Sequence, residues 1–211
     1  MCFSATASFT ASAALLPIGA YALSKARPKD RLIASVPVFF GLQQGIEGLQ
    51  WLYVGAGTPN LWLGYAFLFF AFLFWPWFIP LAISKTETNE KKRRIIFFSL
   101  AIGFVTCLAL LAQMFSGPLV ITVHDRCLQY GAEMPMAILL PIALGYLFSA
   151  CITQFVSSHK YIRLMGYIGL AATAFSFAVY WTVFTSVWCF FAAVISGLCL
   201  LHVLDEKKAD K

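Results

Sequence analysis

Charged residues are scarce in this sequence. Only 11% of its 211 residues are Asp, Glu, Lys or Arg, and 61% are hydrophobic. Because a soluble domain carries about 25% charged residues, this composition excludes an ordinary water-soluble protein. The mean hydropathy of +0.81 instead predicts an integral membrane protein, and the length suits a single domain.

Several motifs of common chemistries are also missing. The sequence contains no Cys-x-x-Cys pair, P-loop, glycine-rich nucleotide motif or Ser-His-Asp order, so it does not support a redox motif, nucleotide binding or a catalytic triad. The last hydrophobic segment has no lysine for a retinal Schiff base. The basic residues lie in short loops without aromatic interleaving, which favours lipid headgroups over nucleic acid as partners.

Seven hydrophobic segments are long enough to be transmembrane helices. They run from about Ala7 to Leu23, Leu32 to Val54, Leu61 to Ile83, Ile95 to Phe115, Met136 to Val156, Leu164 to Phe184 and Val187 to Leu204. Almost no loop separates the last two, whose boundary falls near Thr182 to Trp188. The predicted fold is therefore an all-α bundle of seven transmembrane helices in residues 1–204, followed by a charged tail at 205–211.

Lysine and arginine residues are concentrated on alternate loops. Fourteen of them lie in the first, third and fifth loops and the tail, whereas only Arg126 lies on the opposite side. Since cytoplasmic loops carry the excess of basic residues, this pattern predicts an external N-terminus and a cytoplasmic C-terminus. No basic residue precedes the first apolar segment, so we expect it to be retained and not cleaved as a signal peptide.

Glu47 is the only Asp, Glu, Lys or Arg residue inside a hydrophobic segment. It lies about 10 Å below the helix end near Val54, where a carboxylate is costly unless it is protonated, paired or hydrated. The residues three or four positions away, which share its helix face, are Gln43, Gln44, Gln50 and Trp51. We interpret this set as a site for a proton, a cation or a polar small molecule. The alternative is a neutral Glu47 hydrogen-bonded to a glutamine or tyrosine of another helix.

Two further residues are candidates for the same site. Tyr180, at the predicted outer end of the sixth segment, can donate a hydrogen bond to Glu47. His124, in the long loop before the fifth segment, can be a proton donor or a metal ligand, or simply a polar loop residue. Thr122 to Tyr130 of that loop is expected to form a short strand or helix over the mouth of the bundle, where Arg126 is a candidate counter-ion for Glu47.

Small residues line a neighbouring face of the second segment, at Gly41, Gly45 and Gly48. Such a face lets another helix approach closely. That helix can belong to the same chain or to a second copy, so the pattern leaves a homo-oligomer open.

The histidines do not predict a metal site. His159 and His202 lie at the predicted cytoplasmic side, whereas His124 lies at the outer side, so one metal ion cannot bind all three. A zinc hydrolase of the seven-helix ceramidase or receptor type would need about three histidines within reach of one another. We therefore predict no metal ligands, and the sequence indicates no particular cofactor.

The cysteines divide into two groups. Three lie inside hydrophobic segments and are interpreted as small buried hydrophobic residues, namely Cys107, Cys151 and Cys199. The others, Cys2, Cys127 and Cys189, lie at the predicted outer face, where a disulfide can form. Cys2 begins the first helix and Cys189 the seventh, so a Cys2–Cys189 bond would close the bundle, with Cys127 as the competing partner or an odd thiol.

A short sequence similarity suggests an internal repeat. The first segment contains ALLPIGAY from Ala14 to Tyr21, and the fifth contains ILLPIALGY from Ile138 to Tyr146. A parallel repeat of three helices around a linker helix (3+1+3) would explain it. In this layout the chain resembles the SWEET and PQ-loop transporters, although Pro17 and Pro141 are followed by isoleucine and not by glutamine.

Three motifs together resemble a family of small, uncharacterised, mostly bacterial membrane proteins. They are the start Met-Cys-Phe-Ser-Ala, the Glu47 and Trp51 pair, and the stretch from Ser186 to Ala193. The resemblance covers the whole chain and implies the bacterial inner (plasma) membrane as its location. It also implies that Cys2, Glu47, His124 and Cys189 belong to one outer site, without naming a chemistry.

Three functions are compatible with these patterns. The first is a small-solute transporter or carrier in which Glu47 couples transport to a proton or cation. The second is an outward-facing ligand-binding, sensor or assembly protein. The third, an enzyme, is less favoured and would modify lipids with Glu47 and His124 as acid and base. The expected partners are membrane lipids and a small molecule or ion.

Overall fold

The structure, a computed structural model, describes residues 4–124, 127–131, 135–179 and 191–209. Within these residues it contains seven helices and one antiparallel hairpin. The helices are α1 (Ala5–Lys25), α2 (Arg31–Gly55), α3 (Leu61–Thr86), α4 (Glu90–Met114), α5 (Met136–Val156), α6 (Lys160–Val179) and α7 (Ala192–Ala209). The strands are β1 (Ile121–His124) and β2 (Cys127–Tyr130).

Five of the helices in the described ranges, α1 to α5, are long and apolar enough to cross a membrane. This agrees with the predicted membrane protein. The predicted boundary near Thr182 to Trp188 lies outside the described residues. At the chain end, α7 continues through Ala209, so Asp205 and Glu206 of the predicted tail are helical.

Three helices begin at a side chain that caps their first turn. Ser4 caps α1, Asn60 caps α3 and Asn89 caps α4, and each side-chain oxygen accepts a hydrogen bond from the backbone N–H three residues later, at 3.2, 3.1 and 3.2 Å. The first N–H groups of a helix have no partner within the helix, so such caps fix where each helix starts.

The second helix lies in the interior of the bundle and packs against α1, α3 and α7. Its glycine face lies against α1, where a Cβ atom on Gly41 would come within 2.9 Å of Leu16 and one on Gly48 within 2.8 Å of Phe9. The predicted close approach of another helix is therefore confirmed. The neighbour is a helix of the same chain.

Two helices change to π geometry near their middle, α3 at Phe69–Phe74 and α5 at Phe148–Ile152. The segment in α3 precedes Pro76, which lacks an N–H and so leaves a carbonyl without a helical partner. Neighbouring side chains bond carbonyls there: the Tyr146 hydroxyl donates to Ala71 O at 2.8 Å, and the Cys107 thiol donates to Leu73 O at 3.1 Å. π segments are frequent at functional sites, and these two flank the interior of the bundle.

The predicted structured segment at Thr122 to Tyr130 is part of a hairpin in which Ile121 pairs with Tyr130 and His124 with Cys127. The hairpin packs on the start of α3, where the Tyr130 ring stacks on Phe67 at 4.6 Å. It therefore covers one end of the bundle, which we call the hairpin end. Asp125 and Arg126, which follow β1 in the sequence, lie outside the described residues.

The opposite end of the bundle, which we call the basic end, joins the segments that carry most of the Lys and Arg residues. Arg27 from the α1–α2 turn contacts Glu206 of α7, and Glu87 from the α3–α4 turn contacts Ser158 of the α5–α6 connection. The predicted grouping of these loops on one side is thus present. That this side is cytoplasmic, and that α1 and α5 begin two halves of a repeat, stay predictions.

Candidate functional site

Glu47 is completely buried on the inward face of α2. Its exposed fraction is 0%, and those of Gln43 and Gln44 are each 1%. Gln44 Nε2 donates a hydrogen bond to Glu47 Oε2 at 3.3 Å. These three residues form what we call the glutamine cluster. The intramembrane acid therefore has a polar neighbour on its own helix, as its spacing predicted.

The glutamine cluster is tied to α3 by a tryptophan. Trp75 Nε1 donates to Gln43 Oε1 at 2.9 Å, and its ring stacks on Phe40 with centroids 4.0 Å apart. Trp75 follows directly on the π segment of α3. Because a π turn shifts the direction of the side chains that follow it, this irregularity helps to aim the indole at α2.

Gln50 and Trp51, the other two residues of the predicted site on α2, are not part of the glutamine cluster. Gln50 is buried. In the amide orientation that satisfies both its nitrogen and its oxygen, Nε2 donates a hydrogen bond to Asn60 O at 2.9 Å and Oε1 accepts one from Asn60 N at 3.2 Å. It therefore stabilises the α2–α3 turn. Trp51 is only half-buried, so a ligand stacked on its ring stays a prediction.

The remaining predicted site residues lie at the hairpin end or outside the described residues. His124 is exposed on β1. Tyr180, Cys2 and Cys189 lie outside the described ranges, so the Tyr180 hydrogen bond, the Cys2–Cys189 disulfide and the single outer site stay predictions. Cys127 is buried at the start of β2. The cysteines predicted to be buried are so in the structure, namely Cys107, Cys151 and Cys199.

A second polar cluster lies at the basic end. It joins the α1–α2 turn, the α5–α6 connection and α7, and two of its side chains, those of Asp30 and His202, are each 1% exposed. We call it the histidine cluster, and its members are Arg27, Asp30, His159, His202 and Glu206. Burying this many ionisable groups is costly unless they are paired.

Arg27 pairs with both acids of the histidine cluster. Its Nε donates to Asp30 Oδ2 at 2.6 Å, and its Nη2 pairs with Glu206 Oε2. Its Nη1 also donates to the Glu206 carbonyl at 3.2 Å. One guanidinium thus takes one oxygen from each carboxylate, which leaves Asp30 Oδ1 and Glu206 Oε1 directed at the histidines.

Each histidine faces one of these two oxygens. His159 Nδ1 lies 2.7 Å from Glu206 Oε1, and its Nε2 lies 3.2 Å from the Thr86 carbonyl. His202 Nε2 lies 3.5 Å from Asp30 Oδ1, a long contact that is an ion pair when His202 is protonated, and within the described part of the chain neither atom has another hydrogen-bond partner. The two imidazole rings are nearly perpendicular, with centroids 5.0 Å apart.

The charge of the histidine cluster depends on Glu206, which lies beyond the predicted seventh segment. Burial alone would raise the pKa of this carboxyl, but the hydrogen bonds from Arg27 and His159 outweigh burial and hold the pKa below its ordinary value. Glu206 is therefore ionised at neutral pH. Because Arg27 is the only residue of the cluster that is always cationic, the two acids leave an excess of negative charge beside the histidines.

Two small cavities lie between the two clusters. The larger, of about 20 Å³, is lined by residues one turn from the histidine cluster, including Ile33, Ile162 and Cys199. The smaller, of about 10 Å³, reaches Phe40 and Trp75 beside the glutamine cluster. Both are lined by Gln154, whose Oε1 is buried with no hydrogen-bond partner among the described residues. Since a water molecule needs about 10–15 Å³, each cavity is close to the size of one water.

A third acid, Glu87, joins the loops of the basic end. Its carboxylate accepts hydrogen bonds from Ser158 N at 2.7 Å, Ser158 Oγ at 3.0 Å and Asn89 N at 2.9 Å. Burial raises the pKa of Glu87, but the backbone hydrogen bonds from Ser158 and Asn89 outweigh burial, so the pKa lies below its ordinary value. Glu87 therefore stabilises the contact between the α3–α4 turn and the α5–α6 connection.

We expect this contact to make the protein sensitive to acid. A carboxyl whose folded pKa is lowered stabilises the fold above its ordinary pKa of 4.5, and that stabilisation is lost as the pH falls through the folded pKa. Glu87→Gln should lower the free energy of unfolding at pH 7 by about 2 kcal/mol, and the loss of stability below about pH 4.5 should be shallower than in the wild type. Thermal unfolding in detergent across pH measures both. The matched control is Glu90→Gln, whose side chain is 76% exposed; equal effects of the two variants would contradict the prediction.

The histidine cluster was not predicted from the sequence. His159 and His202 were expected on the same side, but a metal was excluded because His124 lies elsewhere, and the acids were not considered. One signal was present: His202 and Glu206 are four positions apart, so they share a helix face. Nothing in the local sequence joined that face to His159 or Asp30.

The chain was compared with known proteins. A family described as "Family of unknown function (DUF6629)" matches residues 1–211. No curated protein and no solved structure matches the chain. The match agrees with the resemblance to an uncharacterised family.

Proposed function

We propose that this chain, which belongs to the family of unknown function DUF6629, is a membrane carrier that moves a proton or small cation across the bilayer. Glu47 is the coupling group. The observation that supports this proposal is the complete burial of Glu47 in an apolar helix next to the amide of Gln44. A buried intramembrane acid with polar neighbours is typical of proton and ion pathways.

The arrangement of polar groups along the bundle supports the same proposal. Glu47 is hydrogen-bonded to Gln44 and Trp75 to Gln43, and the two small cavities that share Gln154 lie between these residues and the histidine cluster. A proton or hydrated cation needs hydrogen-bonding positions along its path, because the hydrocarbon offers none. Apolar residues surround Gln154 in both cavities.

The proposed orientation follows the basic residues. We place the basic end in the cytoplasm and the hairpin end outside, in a bacterial inner (plasma) membrane. In this arrangement Glu47 exchanges ions with the outside and the histidine cluster with the cytoplasm. The 3+1+3 repeat would relate two halves that move against each other.

The two other functions stay alternatives with different expectations. An outward-facing ligand-binding protein would bind its ligand from one side and produce no flux. A lipid-modifying enzyme would need His124 and Glu47 at one substrate. A flux measurement on the purified protein therefore distinguishes a carrier from both a ligand-binding protein and a lipid-modifying enzyme.

The experiment uses liposomes that contain the purified full-length chain. A potassium diffusion potential set with valinomycin drives proton uptake, which an internal pH-sensitive dye reports. In a second series, a sodium-sensitive dye reports sodium uptake. The proposal expects protein-dependent flux of a proton or sodium ion above that of empty liposomes. Flux equal to that of empty liposomes in both series would overturn it.

Gln154 provides a more specific prediction for the same assay. Gln154→Leu removes the polar side chain that both cavities share, and one hydrogen bond is worth about 0.5–1.5 kcal/mol. We therefore expect the flux to fall up to about tenfold. The free energy of unfolding should change by no more than about 1 kcal/mol, because loss of the hydrogen bond from Gln154 Nε2 to Ala150 O at 2.6 Å is offset by removal of a buried oxygen without a partner. The control is Gln113→Leu, which changes a half-buried glutamine of α4; equal flux in the two variants would contradict the role of Gln154.

A further inference from the structure

We infer that the histidine cluster is a binding site for a divalent transition-metal ion, with His159, His202 and Glu206 as ligands. One ligand atom from each of these residues lies within 4.8 Å of the others. The inference goes beyond the proposed carrier function, which places this cluster at the cytoplasmic end of the ion path, and it does not depend on ion flux. It concerns the basic end and not Glu47.

The contacts of His159 are the first observation that supports a metal site. Its Nε2 lies 3.2 Å from the Thr86 carbonyl, which requires the proton on Nε2. The lone pair of a neutral His159 then lies on Nδ1, which is 2.7 Å from Glu206 Oε1. Two lone pairs at this distance repel each other unless a positive charge lies beside them. That charge is either a second proton or a metal ion.

The surroundings of His159 also suit a metal ligand, which would replace the proton in the contact with Glu206. Metal-binding histidines commonly donate their other N–H to a backbone carbonyl, which fixes the ring. The Thr86 carbonyl holds His159 in this way. The Nδ1 atom is consequently directed at Glu206, as a metal ligand would be.

His202 provides an independent second observation. Its Nε2 and Asp30 Oδ1 are both buried and lie 3.5 Å apart, at the outer limit of a hydrogen bond, and neither atom has a closer partner in the described structure. A contact this long leaves both buried atoms poorly satisfied, which is unfavourable. A cation bound between His202 and the two acids would satisfy both atoms.

The charges of the cluster also suit a cation. Arg27 occupies Asp30 Oδ2 and Glu206 Oε2, and so leaves Oδ1 and Oε1 directed at the histidines. With neutral histidines the cluster has an excess of one negative charge, which a divalent ion would more than balance. Two imidazoles and a carboxylate select first-row transition metals such as zinc over magnesium or calcium, which prefer oxygen ligands.

Metal binding requires only small movements. In a tetrahedral zinc site, ligands at about 2.1 Å from the ion are about 3.4 Å from one another. His159 Nδ1 and Glu206 Oε1 would therefore separate slightly, and the His202 ring would turn toward them. Asp30, next to His202, would add negative charge at the ion.

The test is zinc binding by the purified full-length protein. The protein is stripped with EDTA, dialysed against a range of free zinc concentrations, and analysed for bound metal; cobalt absorption reports the coordination geometry. We expect one zinc ion per chain, binding at least about tenfold weaker in His159→Gln, and unchanged binding in His124→Gln. His202→Gln is the second variant, and thermal unfolding in EDTA identifies any variant that does not fold.

Two results would overturn the inference. One is wild-type protein that binds no zinc above the level of a metal-free control protein, in which case the cluster is a proton-mediated ion pair. The other is a folded His159→Gln and a folded His202→Gln that both bind zinc as the wild type does. Neither result depends on ion flux, so failure of this inference and failure of the proposed carrier function are distinguishable.

Discussion

Replacing Arg27 by alanine is expected to lower the free energy of unfolding by about 3–5 kcal/mol. The guanidinium is the shared partner of Asp30 and Glu206 at the basic end. Asp30 is 1% exposed, so water cannot replace the lost cation. Removing one partner of a buried ion pair leaves an uncompensated charge in a medium of low polarity, which is far more costly than the pair itself is favourable.

A surface arginine provides the matched control for Arg27. Arg93 lies 3.9 Å from Glu90, and the two side chains are 43% and 76% exposed. Exposed pairs of this kind contribute about 0–1 kcal/mol, so Arg93→Ala should have almost no effect. Thermal or denaturant unfolding in detergent with EDTA present, which excludes any bound metal, compares the two variants. An Arg27→Ala variant as stable as Arg93→Ala would contradict the assignment of Arg27 as the central cation of the cluster.

The second prediction with a large expected effect concerns ion flux in variants of Glu47. Glu47→Gln should reduce protein-dependent ion flux in liposomes to the level of empty liposomes, because an amide cannot bind and release a proton or neutralise a cation. The fold should be retained, since glutamine has the same shape and can keep a hydrogen bond with Gln44. Glu47→Asp keeps the carboxyl on a shorter side chain and should preserve part of the flux.

The control for Glu47 is another acid, which is exposed. Glu90→Gln changes a side chain that is 76% exposed at the start of α4 and should leave flux unchanged. If Glu47→Gln and Glu90→Gln both transport at the wild-type rate, Glu47 is a structural residue, and its burial reflects only hydrogen bonding within the bundle.

The membrane segments were predictable because their signals are local. Long apolar runs and the periodic glycines at Gly41, Gly45 and Gly48 depend on residues within one helix, and the structure contains both. The burial of Glu47 beside Gln44 was predictable for the same reason, since residues three positions apart share a face.

The contacts between distant segments were not predictable from spacing. Gln50 has the right spacing for the glutamine cluster, but its amide pairs with the backbone of Asn60 instead. A buried amide forms hydrogen bonds with nearby backbone groups that lack a partner. Which backbone groups lie nearby depends on the path of the chain in the folded protein. The hydrogen bond from Trp75 to Gln43 was not predictable either, because the π segment that orients the indole has no clear signature in the sequence.

The histidine cluster was missed for a related reason. Asp30 and His202 are far apart in sequence, and each looks like an ordinary polar residue at a helix end. They meet only because α1, α2 and α7 pack together. A search for acids near each histidine on a shared helix face would have found Glu206 but not Asp30.

The most direct test of the central claim is the current that follows a sudden change of pH on protein-containing membranes adsorbed to a sensor surface. If Glu47 takes up and releases a proton or a coupled cation inside the bundle, the wild type will give a transient current that is lost in Glu47→Gln and kept in Glu90→Gln. The same transient charge in wild type and Glu47→Gln would contradict the claim that this buried acid exchanges an ion.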